Sequence, residues 1–192
     1  MSDSRRVIPV ILAAGGGTRW DGEGHKLLAR LHGRPVVEHA LRAAVGSGFG
    51  PVVLVTGAVA VPIPDDLAEQ VITTENPRWR EGQSTSLAIG VRRAADLGGD
   101  AILVGLGDQP GIPAAAWTAV GSCSSALAVA SYGDRRGHPV LIASDHWRDL
   151  PESGDLGARD LLRRFDHAVQ AIPCEGSTAD IDTTEDLTPW QS

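Results

Sequence analysis

The first apolar run constrains this chain most tightly. Val7–Ala13 carries no polar side chain and passes straight into Ala14-Gly15-Gly16-Gly17-Thr18-Arg19. A run so short and unbroken is expected of a strand buried on both faces, and such strands belong to parallel sheets covered by helices. Arg5 and Arg6 precede it, but the run is about half the length of a membrane span. It ends in glycines and Arg19 rather than in a small-residue cleavage site. It therefore reads as a strand and not as a signal peptide.

The same alternation continues along the chain. Further strands are predicted at Pro51–Thr56, Gln70–Thr74, Ala101–Leu106, Ala126–Ser131, Pro139–Ala143 and Val169–Ile172. Pro35 opens a helix with Val37, Leu41 and Val45 on one face, stopped by Gly46-Ser47-Gly48. A second helix takes Ser84 or Ser86 as its cap and faces inward with Leu87, Val91 and Ala95. A third is expected near Pro113–Val120, and a fourth over Leu156–Phe165 with Asp155 as cap. Asp134–Gly137 reads as a hairpin turn, which makes Pro139–Ala143 antiparallel to its neighbour. Strands alternating with helices give a three-layer α/β/α, Rossmann-like domain, its sheet mostly parallel with one antiparallel strand.

With 192 residues and no linker or repeat, the expectation is a single domain over 1–192. Hydrophobic residues at 42% and charged ones at 21% exclude a disordered or fibrous chain. The net charge of −7 arises entirely within residues 145–192, where 4 basic face 11 acidic side chains; residues 1–144 balance at 13 each. No basic face emerges, so no nucleic acid partner is expected, and no membrane partner either. Cys123 and Cys174 show no C-x-x-C spacing. That argues against a disulfide framework or a zinc site and points to a cytoplasmic protein.

Ligands of such a sheet bind beyond the carboxyl ends of its strands. Residues 14–26, 56–60, 75–86, 107–111 and 173–183 are the places to look. In the first, Gly15, Gly16 and Gly17 let the backbone approach a ligand and present N–H groups to anionic oxygens. Arg19 adds charge, as does Lys26, the only lysine beside 16 arginines. Two familiar phosphate loops fail here. G-x-G-x-x-G lacks its third glycine, with Trp20 in that place, and no acid ends the second strand to anchor a ribose. The P-loop fails because Glu23 follows Gly22, and Leu27 follows Lys26 where a hydroxyl belongs.

A magnesium ligand must then lie elsewhere. Asp108, just past the fourth strand, can reach a hard cation on phosphate oxygens, unless it is only a turn aspartate. Asp180 and Asp182 alternate and point the same way if extended. Asp182-Thr183-Thr184-Glu185 equally fits a helix capping box. Ser84, Thr85 and Ser86 offer hydroxyls to a base edge or to a helix cap, and Gly82 lets the chain pass close to a ring. His25, His32, His39, His146 and His167 show no ligand spacing and read as surface or partly packed residues.

Taken together, these residues resemble the nucleotidyltransferases that attach a nucleotide to the molybdenum cofactor. The motifs are LAAGGGTR…HKLL at 12–28, GRPVVEHAL at 33–41, NPRWREGQSTSL at 76–87, GDQP at 107–110, GHPVLI at 137–142, GDLGARDLL at 154–162 and DIDTTEDL at 180–187. The resemblance implies a Rossmann-like nucleotidyltransferase fold of about seven strands. The nucleotide-binding half would cover about 1–110 and the acceptor-binding half about 111–192. It further implies Mg²⁺-dependent transfer with release of pyrophosphate. Leu12-Ala13-Ala14-Gly15 and Asp108-Gln109-Pro110 resemble the branch that uses CTP rather than GTP.

By the same resemblance Ala13, Ala14, Gly15, Gly16, Gly17, Thr18 and Arg19 cradle phosphates, and Lys26 sits near the α-phosphate. Asp108 and Asp182 hold Mg²⁺, while Gly82, Ser84 and Ser86 lie near the base. His138, Asp155 and Arg159 face the acceptor, expected to be molybdopterin, whose product would pass to a molybdoenzyme of the xanthine dehydrogenase type. One departure stands out, since Arg19-Trp20-Asp21-Gly22 puts an extra acid in the loop. Two other classes stay open. One is a small NAD(P)-dependent oxidoreductase on the same fold. The other is a hydrolase using Ser84 or Ser86 with His138, although Gly82-Gln83-Ser84-Thr85-Ser86 lacks the second glycine of a nucleophile elbow.

Overall fold

The structure is a computed structural model and describes residues 5–190. In chain order the strands are β1 (Val7–Ala13), β2 (Arg30–Leu31), β3 (Arg34–Pro35), β4 (Val52–Thr56), β5 (Val71–Glu75), β6 (Ala101–Leu106), β7 (Leu127–Tyr132), β8 (Arg135–Ala143) and β9 (Val169–Pro173). The helices are α1 (Val36–Gly46), α2 (Gln83–Asp96), α3 (Ala114–Gly121) and α4 (Arg159–Arg164). Seven strands form one sheet in the order β5-β4-β1-β6-β8-β7-β9, while β2 and β3 form a separate small hairpin. Only β8 runs against its neighbours, pairing antiparallel with both β6 and β7.

The layers follow from strand alternation. On β1, Val7, Ile11 and Ala13 pack with Val37 and Leu41 of α1 and Trp117 and Val120 of α3. Its other side chains, Ile8, Val10 and Leu12, pack with Leu87 and Ala94 of α2 and Leu161 of α4. Both faces of the sheet are thus covered, which is why β1 could be apolar throughout.

Three local expectations need correction. The β7–β8 turn is Gly133-Asp134, with Gly133 at φ 62°, rather than Asp134–Gly137, so β8 begins at Arg135. Helix α2 is not capped by Ser84 or Ser86, which lie inside it; its first residue follows Gly82, and no side chain caps it. Its inward face is Leu87, Gly90 and Ala94, with Val91 partly buried against the same cluster as expected, whereas Ala95 is exposed. Gly90 is the reason, because a Cβ there would lie 2.5 Å from Val10, so the helix seats this glycine on the sheet. Helix α4 is shorter than expected, starting after Ala158 and without Asp155 as its cap.

The chain passes from β1 to β4 on one side and later to β6 on the other. A crevice therefore opens beyond the carboxyl ends of β1 and β6, where such folds bind ligands. Because β8 is antiparallel, its first residues, including Gly137 and His138, reach that same edge.

Candidate active site

A cleft of about 520 Å³ lies at this crevice. It is lined by Ala13 through Arg19, by Lys26, Gly82 and Ser86, and by Asp108, Asp155 and Asp182. Asp108 is placed by the turn after β6, where Gly107 N–H donates to Leu12 O at 2.9 Å. The backbone of Asp108 in turn accepts from Ile181 N–H at 2.9 Å, which draws the C-terminal segment across the cleft. Ile181 and Leu187 bury themselves against Leu31 and Val36, so a small apolar cluster anchors this segment.

Lys26 closes the constellation. Its ammonium donates to Asp108 Oδ2 at 2.5 Å and to Asp182 Oδ1 at 2.7 Å, with the lysine side chain only 11% exposed. Burial works to lower its pKa, but the two carboxylates outweigh this and hold it above the ordinary lysine value. Arg19 Nη1 approaches Asp182 Oδ2 at 2.9 Å from the solvent side, its own side chain largely exposed. Asp108 Oδ1 is buried and has no hydrogen-bond partner among the described residues. Two carboxylates, one with an unmatched oxygen, suit a hard divalent cation bound through one or two carboxylates plus substrate phosphates.

Asp182-Thr183-Thr184-Glu185 does not form the capping box. Instead Asp186 Oδ2 accepts from Asp182 N–H, Thr183 N–H and the Thr183 hydroxyl, which leaves the Asp182 side chain to face Lys26. The extra acid of the loop is occupied elsewhere, since Asp21 Oδ1 accepts from Thr184 N–H at 2.9 Å. That contact, together with the Thr184 hydroxyl and the backbone N–H of Asp21 itself, holds its carboxyl below the usual range.

The serine and glycine positions divide. Ser86 lines the cleft, and its oxygen accepts from buried Asn76 Nδ2 at 2.9 Å. Thr85 donates to Gly82 O and accepts from Asn76 as well. Ser84 lies outside the cleft lining: it is fully buried, and its hydroxyl accepts from Gly157 N–H at 3.2 Å. This geometry also leaves no nucleophile at Ser84. Gly82 sits at φ 106°, and a Cβ there would lie 2.4 Å from the Gly154 backbone, so the close approach of residues 154–155 requires a glycine.

His138 and Arg159 line a second cleft of about 400 Å³ that shares Gln83 and Leu106 with the first. Arg135, Arg136 and Arg163 join them around an apolar floor of Val129, Val140 and Leu162. Both clefts therefore draw on residues before and after 110. Gln109 organises this floor: its amide donates to Thr178 O at 3.3 Å and to Asp180 Oδ1 at 2.7 Å. Thr178 O can only accept, so the Gln109 oxygen must face His138 and accept from Nδ1–H at 3.0 Å. Burial, assisted by the charge of Arg159, depresses His138 to about 4, so it is a neutral imidazole. Asp180 thus belongs with Gln109 rather than beside Asp182, and burial, with the charge of Asp108, raises its pKa.

Several residues of the site have contacts that the sequence does not announce. Gln109 and Asn76 lie within quoted motifs, but their amide contacts with Asp180, Thr178, Thr85 and Ser86 are not read from the motif spacing. His25, expected at the surface or only partly packed, bonds across the glycine loop. Trp79 packs on Gly16, where an added Cβ would lie 2.9 Å from the indole, and Arg80 stacks 4.4 Å above its ring. Among the described residues no helix is long and apolar enough to cross a membrane. Both cysteines are free thiols.

Comparison with known proteins places the fold and the family. Residues 9–170 match the MobA-like NTP transferase domain. Nicotine blue oxidoreductase of Paenarthrobacter nicotinovorans is 34% identical over 94% of both chains. The bifunctional protein GlmU of Agrobacterium fabrum is 32% identical over 80% of this chain, which spans 34% of its length. Rv0371c from Mycobacterium tuberculosis superposes with a TM-score of 0.80 at 25% identity, covering 97% of this chain and 99% of that one. A nucleotidyl transferase from Methanothermobacter thermautotroptrophicus gives 0.79 at 26% identity, over 96% and 95%. Rv0371c has also been solved as a manganese complex. The α/β fold, the crevice between β1 and β6, and the matched domain agree: the chain belongs to the MobA-like NTP transferase family and is a nucleotidyltransferase.

Proposed function

We propose that this enzyme transfers CMP from CTP to the terminal phosphate of molybdopterin, releasing pyrophosphate and using Mg²⁺. The observation that carries the reading is the joining of two clefts. One has a glycine loop, Arg19, Lys26 and a carboxylate pair, and the other has four arginines around an apolar floor. Such a floor suits a flat, phosphorylated heterocycle as acceptor. The LAAG and DQP sequences at 12–15 and 108–110 support CTP over GTP.

In this reading the N–H groups of Gly15, Gly16 and Gly17 bind the β- and γ-phosphates, and Arg19 leaves Asp182 to clamp them with its planar fork. Lys26 turns from the carboxylates to the α-phosphate, where charge accumulates as the acceptor phosphate attacks. Ala13, Ala14 and Thr18 shape the phosphate cradle, while Gly82 and Ser86 border the base. Arg159 and His138 orient the acceptor, and the neutral His138 offers Nε2 as a hydrogen-bond acceptor; Asp155, expected beside them, instead borders the nucleotide cleft next to Gly82. Asp108 and Asp182 would hold Mg²⁺, which when bound neutralises phosphate oxygens. The manganese complex of Rv0371c supports a divalent cation in this fold. No general base is needed, because a phosphate monoester is already ionised near neutral pH. The work of the site is positioning and charge neutralisation. A molybdoenzyme of the xanthine dehydrogenase type is the proposed recipient, and the cytoplasm the proposed compartment.

The test offers the purified protein CTP, GTP, ATP and UTP with molybdopterin and follows pyrophosphate. Release with CTP above the others is expected; release with another nucleotide instead refutes the base assignment. A second reading comes from the name of the Paenarthrobacter relative, an oxidoreductase. Against it, the loop lacks a third glycine and β4 ends in Thr56, leaving no carboxylate there for a ribose. Tight binding of NADPH with no binding of CTP in a calorimetric titration would favour that reading.

A further inference from the structure

The backbone N–H groups of Gly15, Gly16, Gly17, Thr18 and Arg19 donate to no other described residue. A row of unmatched donors binds an anion only if the peptide planes are held, and glycine holds them poorly. We infer that His25 is a positioning residue that fixes the Gly15–Gly16 peptide and so aims Gly16 N–H at the nucleotide. The inference rests on reading this loop as the phosphate cradle.

Both nitrogens of the ring are committed. His25 Nδ1 accepts from Leu27 N–H at 3.3 Å, which places the ring proton on Nε2. Nε2–H then donates to Gly15 O at 3.0 Å. Only one neutral tautomer makes both bonds, and burial lowers the pKa of the ring in keeping with it. Lys26 is the charged neighbour, and its charge disfavours a second proton on the ring.

A trans peptide points its C=O and N–H in opposite directions. Binding Gly15 O to the ring therefore turns Gly16 N–H away from the ring, and Gly16 lines the cleft. The side of Gly15 on which a Cβ would project is open, with no atom within 4 Å. Gly17, at φ 59°, lets the chain pass the ring so closely that a Cβ would lie 3.2 Å from Nε2. The same side chain caps the turn that begins at Lys26. One ring thus ties the phosphate loop to the lysine that faces it.

Two variants separate the strap from the cap. His25→Asn keeps a short acceptor for Leu27 N–H but cannot span to Gly15 O, while His25→Ala removes both. Isothermal titration uses whichever of CTP, GTP, ATP and UTP the wild type binds best, with the matching monophosphate as control. His25→Asn is expected to weaken triphosphate binding about tenfold, the loss of one preorganised hydrogen bond, with the melting temperature kept. His25→Ala should weaken binding equally and melt earlier, and the monophosphate should bind all three proteins alike. Equal triphosphate affinity for wild type and His25→Asn overturns the inference and leaves the function standing. Failure of the wild type to bind any triphosphate overturns both.

Discussion

Replacing Lys26 by methionine tests the centre of this site directly. The side chains have similar length, so the change removes the charge and little volume. In the wild type one ammonium serves two carboxylates at 2.5 and 2.7 Å, and Asp108 and Asp182 are only 19% and 18% exposed. Removing one partner of a buried ion pair costs about 3–5 kcal/mol, because the other charge is left uncompensated. Here Arg19 remains on Asp182, and about a fifth of each carboxylate still meets water. These two effects roughly halve the cost, to about 1.5–2.5 kcal/mol. At about 2–4 °C per kcal/mol for a domain of this size, the melting temperature should fall by about 3–10 °C.

Differential scanning fluorimetry with and without Mn²⁺ supplies the assay. Mn²⁺ should recover most of the loss in Lys26→Met and change the wild type little, because a divalent cation between the same carboxylates replaces the missing charge. Nucleotidyl transfer should nevertheless drop at least about 100-fold, since the charge proposed to face the transition state is gone. An unchanged melting temperature in metal-free buffer would refute the reasoning, for it would mean that the carboxylates do not depend on Lys26.

Two further outcomes follow from the neighbouring residues. Gly82→Ala should lower stability by about 2–4 kcal/mol, through a positive φ and a forced separation of residues 154–155, read as a lower urea midpoint; a midpoint equal to wild type would refute the close approach. His138 has a depressed pKa, so the stability it contributes is present above its ordinary value near 6.5 and is lost as pH falls through about 4. The melting temperature of the wild type should therefore fall more steeply than that of His138→Gln between these values, and parallel curves would show that the ring is not held neutral.

Much of this architecture is legible in the amino-acid sequence. The apolar run of β1, strand–helix alternation and a glycine loop at a strand end are local, period-driven features. The backbone obeys them wherever the sheet is buried, so the layer order and the single antiparallel strand can be read directly. Asp108 is legible for a related reason, as it follows β6 by two residues and must emerge at its carboxyl end, whereas Lys26 is brought there by the long loop after β1.

Only the tertiary structure decided the pairings that depend on residues distant in sequence. Asp182 faces Lys26 because Asp186 takes over the backbone of the turn, and Asp180 instead anchors Gln109. Ser84 has the sequence context of a cap or a base reader, yet the approach of Gly157 turns its hydroxyl inward. His25 has no partner within reach of any motif spacing until the loop folds back and brings Gly15 O to its ring. Hydrophobic periodicity determines which face of an element is buried. A polar side chain takes whatever donor or acceptor the assembled fold leaves beside it, and that choice is made only once the chain has closed.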